Sequence, residues 1–132
     1  MRTQSIAPLI ALLLSMPVMA ADEVRSVTVQ TNQLASAQTI QGTITGYQSA
    51  DHNVQVAAGQ TLTVHLDTSN TSSYFNVTAA GADQAMFIGS TSGNDYQGVM
   101  PSSGVYTIRV YMMRNAARRD EVAKYTLNIK IK

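Results

Sequence analysis

The sequence predicts an all-β fold, namely an antiparallel, jelly-roll-like β-sandwich of eight or nine strands. From about residue 25 onward, apolar and polar residues alternate with a period of two, which is typical of strands with one face in a core and one in water. Clusters of Gly, Ser, Asn and Pro separate the alternating runs, as expected for turns between short strands. The 132 residues include no cysteine, so the core is expected to fold without disulfides.

Nine strands are predicted, each from its own alternation and from the turn that bounds it. The first two are rich in Val, Ile and Thr, and the second ends at Gly46. The third ends at the Gly59 turn, and the fourth alternates Leu and Val with Thr and His. The fifth and sixth follow turns at 70–72 and around Gly81. The first six predicted ranges are 25–31, 37–46, 53–57, 60–68, 73–79 and 84–89.

The last three predicted strands are 95–100, 104–113 and 122–131. The first of them lies between a Ser-Gly-Asn-Asp turn and Pro101. In the other two, the residues expected to face the core are Tyr106, Ile108, Val110, Met112, Tyr125, Leu127, Ile129 and Ile131. The alanines in 114–121 favour one or two turns of helix, but the segment is too short to be stable alone, so an ordered loop is predicted there.

Residues 1–20 have the features of a secretory signal peptide. Arg2 supplies the positive start, residues 6–14 form a short apolar stretch, and Val18-Met19-Ala20 places small residues before the expected cleavage point. The apolar stretch is shorter than the roughly 20 residues that a membrane-spanning helix needs. We therefore expect an exported protein with no membrane anchor after cleavage and a single β-sandwich domain over 21–132.

Charge is distributed unevenly along the chain. Nine Lys and Arg against eight Asp and Glu give a formal net charge of +1, which argues against general nucleic-acid binding. Seven of the cations lie in 109–132, whereas six of the acids precede that segment. A basic end of this kind indicates an acidic partner. The seven cations are Arg109, Arg114, Arg118, Arg119, Lys124, Lys130 and Lys132.

Few residues have the chemistry or the spacing for catalysis or metal binding. The two histidines are His52, predicted in a turn, and His65, predicted on an outward strand face; they are not spaced to share a metal, and no cysteine can complete a site. Asp120 and Glu121 are adjacent, so their carboxylates would point apart instead of facing one another as glycoside hydrolysis requires. No G-x-S-x-G nucleophile motif is present. We therefore expect no enzymatic activity, no metal and no cofactor.

Arg114 and Arg118 are the strongest candidates for binding a partner. They are four positions apart, so both project from the same side if the segment is helical. The planar guanidinium carries fixed donors and is suited to bidentate binding of carboxylates. The alternative is that these are ordinary solvated charges, some of them paired with Asp120 and Glu121. The spacing alone leaves both interpretations open.

Several short motifs between Gly42 and Lys132 are shared with a known family. They are Gly46-Tyr47, Ala58-Gly59-Gln60, Pro101-Ser102-Ser103-Gly104-Val105-Tyr106, Arg109-Val110, Arg114-Asn115-x-Ala117-Arg118 and the ending Lys124-Tyr125…Ile129-x-Ile131-Lys132. On these motifs the chain resembles the periplasmic inhibitors of g-type (goose-type) lysozyme of Gram-negative bacteria. Pre-peptidase C-terminal sandwich domains also contain the Gly-Tyr, Ala-x-Gly-Gln and Ser-Gly-x-Tyr motifs. The Arg-Asn-x-Ala-Arg motif is the one that distinguishes the inhibitors from those domains.

The resemblance implies a periplasmic β-sandwich that blocks the peptidoglycan-binding groove of g-type lysozyme. A monomer is expected. The lysozyme-binding residues that it implies are Arg114, Arg118, Tyr47, Asn115, Arg119, Ser103 and Gly104. In this interpretation the Ser103–Gly104 loop flanks the arginines.

A carbohydrate- or cell-wall-binding module of the pre-peptidase type is the alternative interpretation. Its motivation is the Gly-Gln and Ser-Gly-x-Tyr pieces. Such modules usually present an exposed aromatic platform, whereas this chain has no Trp and most of its six Tyr are predicted on inward faces. A hydrolase, the third interpretation, lacks every catalytic constellation that it would need.

Overall fold

The computed structural model describes residues 24–28 and 37–132, which form two β-sheets packed face to face. Within these ranges lie nine strands and two short helices. The elements are β1 (Val24–Thr28), β2 (Ala37–Thr45), β3 (Ser49–Val56), β4 (Thr61–Thr68), β5 (Ser73–Ala79), β6 (Phe87–Ile88), α1 (Gly89–Ser92), β7 (Asp95–Val99), β8 (Gly104–Met112), α2 (Arg114–Arg118) and β9 (Val122–Ile131). The predicted all-β sandwich is confirmed.

One sheet has the strand order β1-β3-β8-β5-β6 and the other β2-β9-β4-β7. Successive strands therefore often switch sheets, as in a sandwich of jelly-roll type. The pairs are antiparallel except β1 with β3, which run parallel from Val24 opposite Ser49. A parallel pair needs a crossover connection, and here β2 supplies it by lying in the other sheet.

The core lies between the sheets and is built from the residues predicted to face inward. Tyr106, Ile108 and Val110 on β8 are buried, as are Leu127 and Ile129 on β9. Phe75, Leu62 and Ile44 from three other strands complete the contact between the layers. The period-two alternation therefore assigned the inner and outer faces of these strands correctly.

Three elements differ from the sequence-based prediction. The third strand begins at Ser49, four residues before the predicted start, so His52 lies in a strand and not in a turn. The sixth strand is only two residues long and leads into α1, a helix that was not predicted. The segment predicted as an ordered loop after β8 contains the helix α2. Ala116 and Ala117 in this helix are buried, and this tertiary packing stabilises a helix that would not persist alone.

A buried hydrogen bond joins the two sheets near the edge of the core. His52 on β3 is 2% exposed, and its Nε2 lies 2.9 Å from the hydroxyl oxygen of Tyr125 on β9. The other ring nitrogen, Nδ1, is buried and has no hydrogen-bond partner in the described part of the chain. Burial lowers the pKa of His52, partly opposed by the negative charge of Asp51 and reinforced by the positive charge of Arg25.

The predicted signal peptide at 1–20 and the last three residues of the predicted strand 25–31 lie outside the described residues. Among the residues that are described, no helix has the length and apolar character to cross a membrane.

Candidate functional site

Helix α2 presents a row of cations at one end of the sandwich. The amides of Ala116 and Ala117 donate to the carbonyl of Met113, which closes the helical turn just after β8 ends. The side chains of these two alanines are buried against the core, so the opposite side of the helix faces solvent. Arg114 and Arg118 are both exposed and lie four positions apart on that side.

The two arginines of this row are not neutralised by acids of the same domain. Within 24–28 and 37–132, neither the Arg114 nor the Arg118 side chain forms a hydrogen bond or an ion pair. The alternative that their charges are paired with Asp120 and Glu121 therefore does not hold for these two residues in the described structure. Their guanidinium groups are available to an external acid.

Arg119, the next residue, is engaged. Its guanidinium contacts Oε2 of Glu121 through Nε at 2.8 Å and Nη2 at 2.6 Å. The pKa of Glu121 is lowered, first by a hydrogen bond from Asn70 and then by the hydrogen bond and charge of Arg119. Arg119 thus holds the end of α2 to the chain that follows it.

The turn between β2 and β3 lies directly against the end of α2 and carries Tyr47. The amide of Gly46 donates to the carbonyl of Glu121 at 2.9 Å. Gly46 has a φ of 60°, which is strained for a residue with a side chain, and a Cβ added there would lie 3.0 Å from Oδ1 of Asp120, so the geometry favours glycine. Tyr47, 41% exposed, is presented beside the helix by a turn anchored to it.

Asn115 has a local structural role within the helix. Its side-chain oxygen accepts a hydrogen bond of 2.9 Å from the amide of Ala116, which that amide shares with its bond to the carbonyl of Met113. The residue is exposed between the arginines, so it is positioned both to stabilise the helix start and to contact a partner.

Ser103 and Gly104 lie at the other end of the sandwich, so the prediction that they flank the arginines is wrong. Gly104 is opposite Val56 at the start of β8, whereas the helix follows Met112 at its end. At about 3.3 Å per residue, the length of β8 separates these ends by roughly 26 Å. Ser103 instead accepts a hydrogen bond from the amide of Ala58 at 2.8 Å and supports the neighbouring turn.

The residues considered for catalysis are not brought together. His65 contacts Asp95 at 2.5 Å on an exposed strand face, far from the buried His52. Asp120 has a positive φ of 55° and contacts Gly46, while the adjacent Glu121 is engaged by Arg119 and Asn70. In the described ranges, no group of three or more His, Cys, Asp or Glu is placed to hold a metal ion.

A solved structure of known function shares this fold and much of this sequence. PliG of Aeromonas hydrophila, a periplasmic lysozyme inhibitor of g-type lysozyme, is 37% identical to this chain with a TM-score of 0.75. The match covers 85% of this chain and 100% of the Aeromonas protein. The chain belongs to the PliG family.

Two further PliG structures match less closely. PliG of Salmonella Typhimurium is 28% identical with a TM-score of 0.64, and the match covers 82% of this chain and 98% of that one. A mutant of Escherichia coli PliG is 27% identical with a TM-score of 0.63, covering 83% and 99%. Both are periplasmic lysozyme inhibitors of g-type lysozyme.

The predicted likeness to pre-peptidase C-terminal domains extends to the fold alone. Such a domain from the collagenase of Bacillus anthracis has a TM-score of 0.53 at 16% identity, with 84% of this chain and 96% of that one covered. No protein-family model and no curated protein matches the chain.

Sequence reasoning missed the residues that hold α2 in place. Asn70, in the loop between β4 and β5, donates to Oε1 of Glu121 at 3.0 Å and to the carbonyl of Val122 at 3.3 Å. In the sequence, the 70–72 triplet is an ordinary turn signal. Nothing local indicates that this turn packs against a helix about 45 residues later, because the contact depends on the order of strands in the sheets.

Proposed function

We propose that this protein is a periplasmic inhibitor of g-type lysozyme that blocks the enzyme's peptidoglycan-binding groove with α2 and the Tyr47 turn. The observation that carries the proposal is the pair Arg114 and Arg118, exposed and without acid partners in the described chain, on a helix anchored at both ends. Membership of the PliG family supports the choice of target, since its solved members inhibit g-type lysozyme. The same proteins are periplasmic, which supports the periplasmic localisation expected from the signal peptide.

The chemistry of a glycosidase groove suits this surface. Such a groove contains at least one catalytic carboxyl group. A guanidinium that enters it can donate two parallel hydrogen bonds to the carboxylate while excluding the sugar chain. Because Arg114 and Arg118 have no described acid partner, no internal ion pair has to break before binding. Truncating one member of a buried interfacial charge pair typically costs about 2–5 kcal/mol.

The remaining residues of the surface act around these two arginines. Tyr47 supplies an exposed aromatic ring, and Tyr and Arg are among the side chains that most often dominate tight interfaces. Arg119 and Asn115 lie at the edge of the surface, where they contact lysozyme while stabilising the helix. Ser103 and Gly104, at the far end of β8, lie outside this surface. Inhibition by occlusion requires no catalytic residue and no cofactor, and a monomer is sufficient.

The direct test is a cell-wall lysis assay with the purified chain starting at Ala21. Goose-type, chicken-type and invertebrate-type lysozymes are compared side by side with increasing inhibitor. We expect near-stoichiometric loss of goose-type activity and weaker or no effect on the other two. Full lysis by several goose-type enzymes at excess inhibitor would refute the proposed function.

A second candidate function, binding to cell-wall carbohydrate, is favoured by one observation. On the outer face of the β1-β3-β8-β5-β6 sheet, Tyr74 is paired with Tyr111 beside a cleft of about 300 Å³ that includes Asp51, Asn76 and Arg109. Aromatic rings next to a few polar groups are typical of ligand sites in general, and a saccharide is one ligand of this kind. Sedimentation with purified peptidoglycan separates the two candidates, because a binding module sediments with the polymer whereas an inhibitor binds the enzyme.

A further inference from the structure

The loop between β4 and β5, residues 69–72, holds α2 from both of its ends. At the start of the helix, the amide of Met113 donates to the carbonyl of Ser72 at 2.9 Å. Beyond its end, the Asn70 side chain binds the connection to β9, and Ser69 exchanges two hydrogen bonds of 2.9 Å with the backbone of Lys124. We name residues 69–72 the clamp loop. It bridges two points of the chain that lie on either side of the arginine-bearing helix.

Within the clamp loop, Asn70 is the residue whose side chain contacts the chain that follows α2. Its Nδ2 donates to Oε1 of Glu121 at 3.0 Å and to the carbonyl of Val122 at 3.3 Å. Its Oδ1 accepts from the amide of Ser72 at 2.9 Å, which fixes the orientation of the amide group. An amide is required here because one end must accept and the other must donate.

The helix depends on such external contacts. It has five residues, and its N-cap residue Met113 makes no side-chain capping hydrogen bond. A helix of this length does not persist alone in water. The contacts that hold it are the buried Ala116 and Ala117, the Gly46 turn, the pairing of Arg119 with Glu121 and the clamp loop. Of these, only the clamp loop acts on both ends.

We propose that Asn70 is a positioning residue for inhibition: through Glu121 and Val122 it sets the placement of α2, and with it the direction in which Arg114 and Arg118 project. The inference rests on the proposed function, since it concerns the same binding surface. Asn70 itself need not contact lysozyme. Its effect is to keep the helix in one arrangement, so that no ordering is required when the complex forms.

The substitution N70D removes the donor and opposes the contact with Glu121. An aspartate keeps the oxygen that accepts from Ser72, but it cannot donate to Glu121 or Val122, and it places a second negative charge beside the Glu121 carboxylate. Loss of a hydrogen bond to a charged group corresponds to about tenfold or more in an equilibrium constant. We therefore expect the inhibition constant against goose-type lysozyme to rise about tenfold or more in N70D.

The double variant N70D/E121Q restores the hydrogen bond between positions 70 and 121 with donor and acceptor exchanged. The new amide at position 121 can donate to the carboxylate at position 70 while its oxygen still accepts from Arg119. We expect this double variant to recover most of the inhibition lost in N70D. N128D is the matched control, because the Asn128 side chain accepts only from Thr39 Oγ1 among the described residues and lies on β9 away from the helix.

Hydrogen exchange in the free inhibitor separates positioning from general destabilisation. In N70D, amides of 116–121 should exchange faster, whereas those of Leu127 and Ile129 in the sheet should be unchanged. If N70D cannot be purified, N70S serves instead, since a serine hydroxyl can still support the turn but is too short to reach Glu121.

Each outcome decides one of the two proposals. If the unmodified protein does not inhibit goose-type lysozyme, the proposed function fails and the role of Asn70 in inhibition fails with it. If the unmodified protein inhibits and N70D inhibits within twofold of it, the positioning role alone is overturned. Equal acceleration of exchange across the whole sandwich, or no recovery in N70D/E121Q, also overturns it. Selective loss in N70D with recovery in the double variant supports it.

Discussion

Three arginines within six residues differ in how available they are to a partner. Arg119 is tied to Glu121 by two contacts within 3 Å, whereas Arg114 and Arg118 make no ion pair in the described part of the chain. The difference follows from position on the helix. Arg119 lies where the chain turns back toward β9, and the other two lie on the solvent side opposite the buried alanines. In the proposed function, binding to an acidic groove is therefore assigned to Arg114 and Arg118.

Charge reversal at these two positions tests this assignment. In R114E and R118E a carboxylate replaces the guanidinium, so each variant should weaken inhibition of goose-type lysozyme by an amount equivalent to about 2–5 kcal/mol. The melting temperature should be unchanged, because no described contact is lost. K130E, an exposed charge reversal on β9, is the control and should inhibit normally. Normal inhibition by both arginine variants would place the contact surface elsewhere.

At the scale of elements, the binding surface is assembled from segments far apart in sequence. The β2–β3 turn, the clamp loop and α2 meet because β3 and β5 both flank β8, the strand that leads into the helix. Gly46 joins the β2–β3 turn to this assembly, with its amide bonded to the carbonyl of Glu121. The orientation of Tyr47 thus depends on a turn whose positive φ favours glycine.

The substitution G46A should disturb this junction. Alanine at a φ of 60° is strained, and its Cβ would lie 3.0 Å from Oδ1 of Asp120. We expect a loss of about 1 kcal/mol or more in the free energy of unfolding, measured by denaturant titration, together with weaker inhibition. G59A is the matched control: Gly59 also has a positive φ, of 88°, but no atom lies within 4 Å of an added Cβ. If G46A and G59A inhibit equally well, the junction does not position the binding surface.

Sequence patterns predicted those parts of the structure that local alternation determines. The inward faces of β8 and β9 follow from period two. The spacing of Arg114 and Arg118 put them on one side only on the condition that the segment was helical, and an ordered loop was predicted where α2 lies. The start of β3 was missed because Ser49, Asp51 and His52 are polar or titratable residues, which resemble a turn when their burial is unknown.

The position of the Ser103–Gly104 loop was missed for a different reason. Which loops share an end of a sandwich depends on strand order and direction, and short motifs carry neither. The same limit applies to Asn70, whose turn is recognisable in the sequence but whose partners on the far side of α2 are not. The family resemblance indicated a function and a set of candidate residues. Which of these residues lie close together in space became known only from the fold.

At the scale of the whole molecule, the two sheets are joined by a titratable contact within a mostly apolar core. His52 on one sheet and Tyr125 on the other share a buried hydrogen bond, and Nδ1 of His52 has no described partner. Protonation of His52 would place a charge between the layers with no described acid hydrogen-bonded to it. The stability of the sandwich should therefore depend on the protonation state of this one side chain.

The direction of the pH dependence follows from the lowered pKa of His52. Its folded-state pKa lies below the ordinary value of 6.5, so below that pH the unfolded chain binds a proton that the folded chain does not. The contribution of neutral His52 to the free energy of unfolding is therefore complete above pH 6.5. It declines as the pH falls from 6.5 toward the pKa of His52 in the folded protein. One such group contributes a slope of at most about 1.4 kcal/mol per pH unit.

Denaturant titrations from pH 7.5 to 5 should show this decline in the free energy of unfolding of the unmodified protein. The decline should be shallower in H52Q, whose amide can still hydrogen-bond to Tyr125 but does not titrate. Identical pH profiles for the two proteins would mean that the contact between the sheets is not the titrating element.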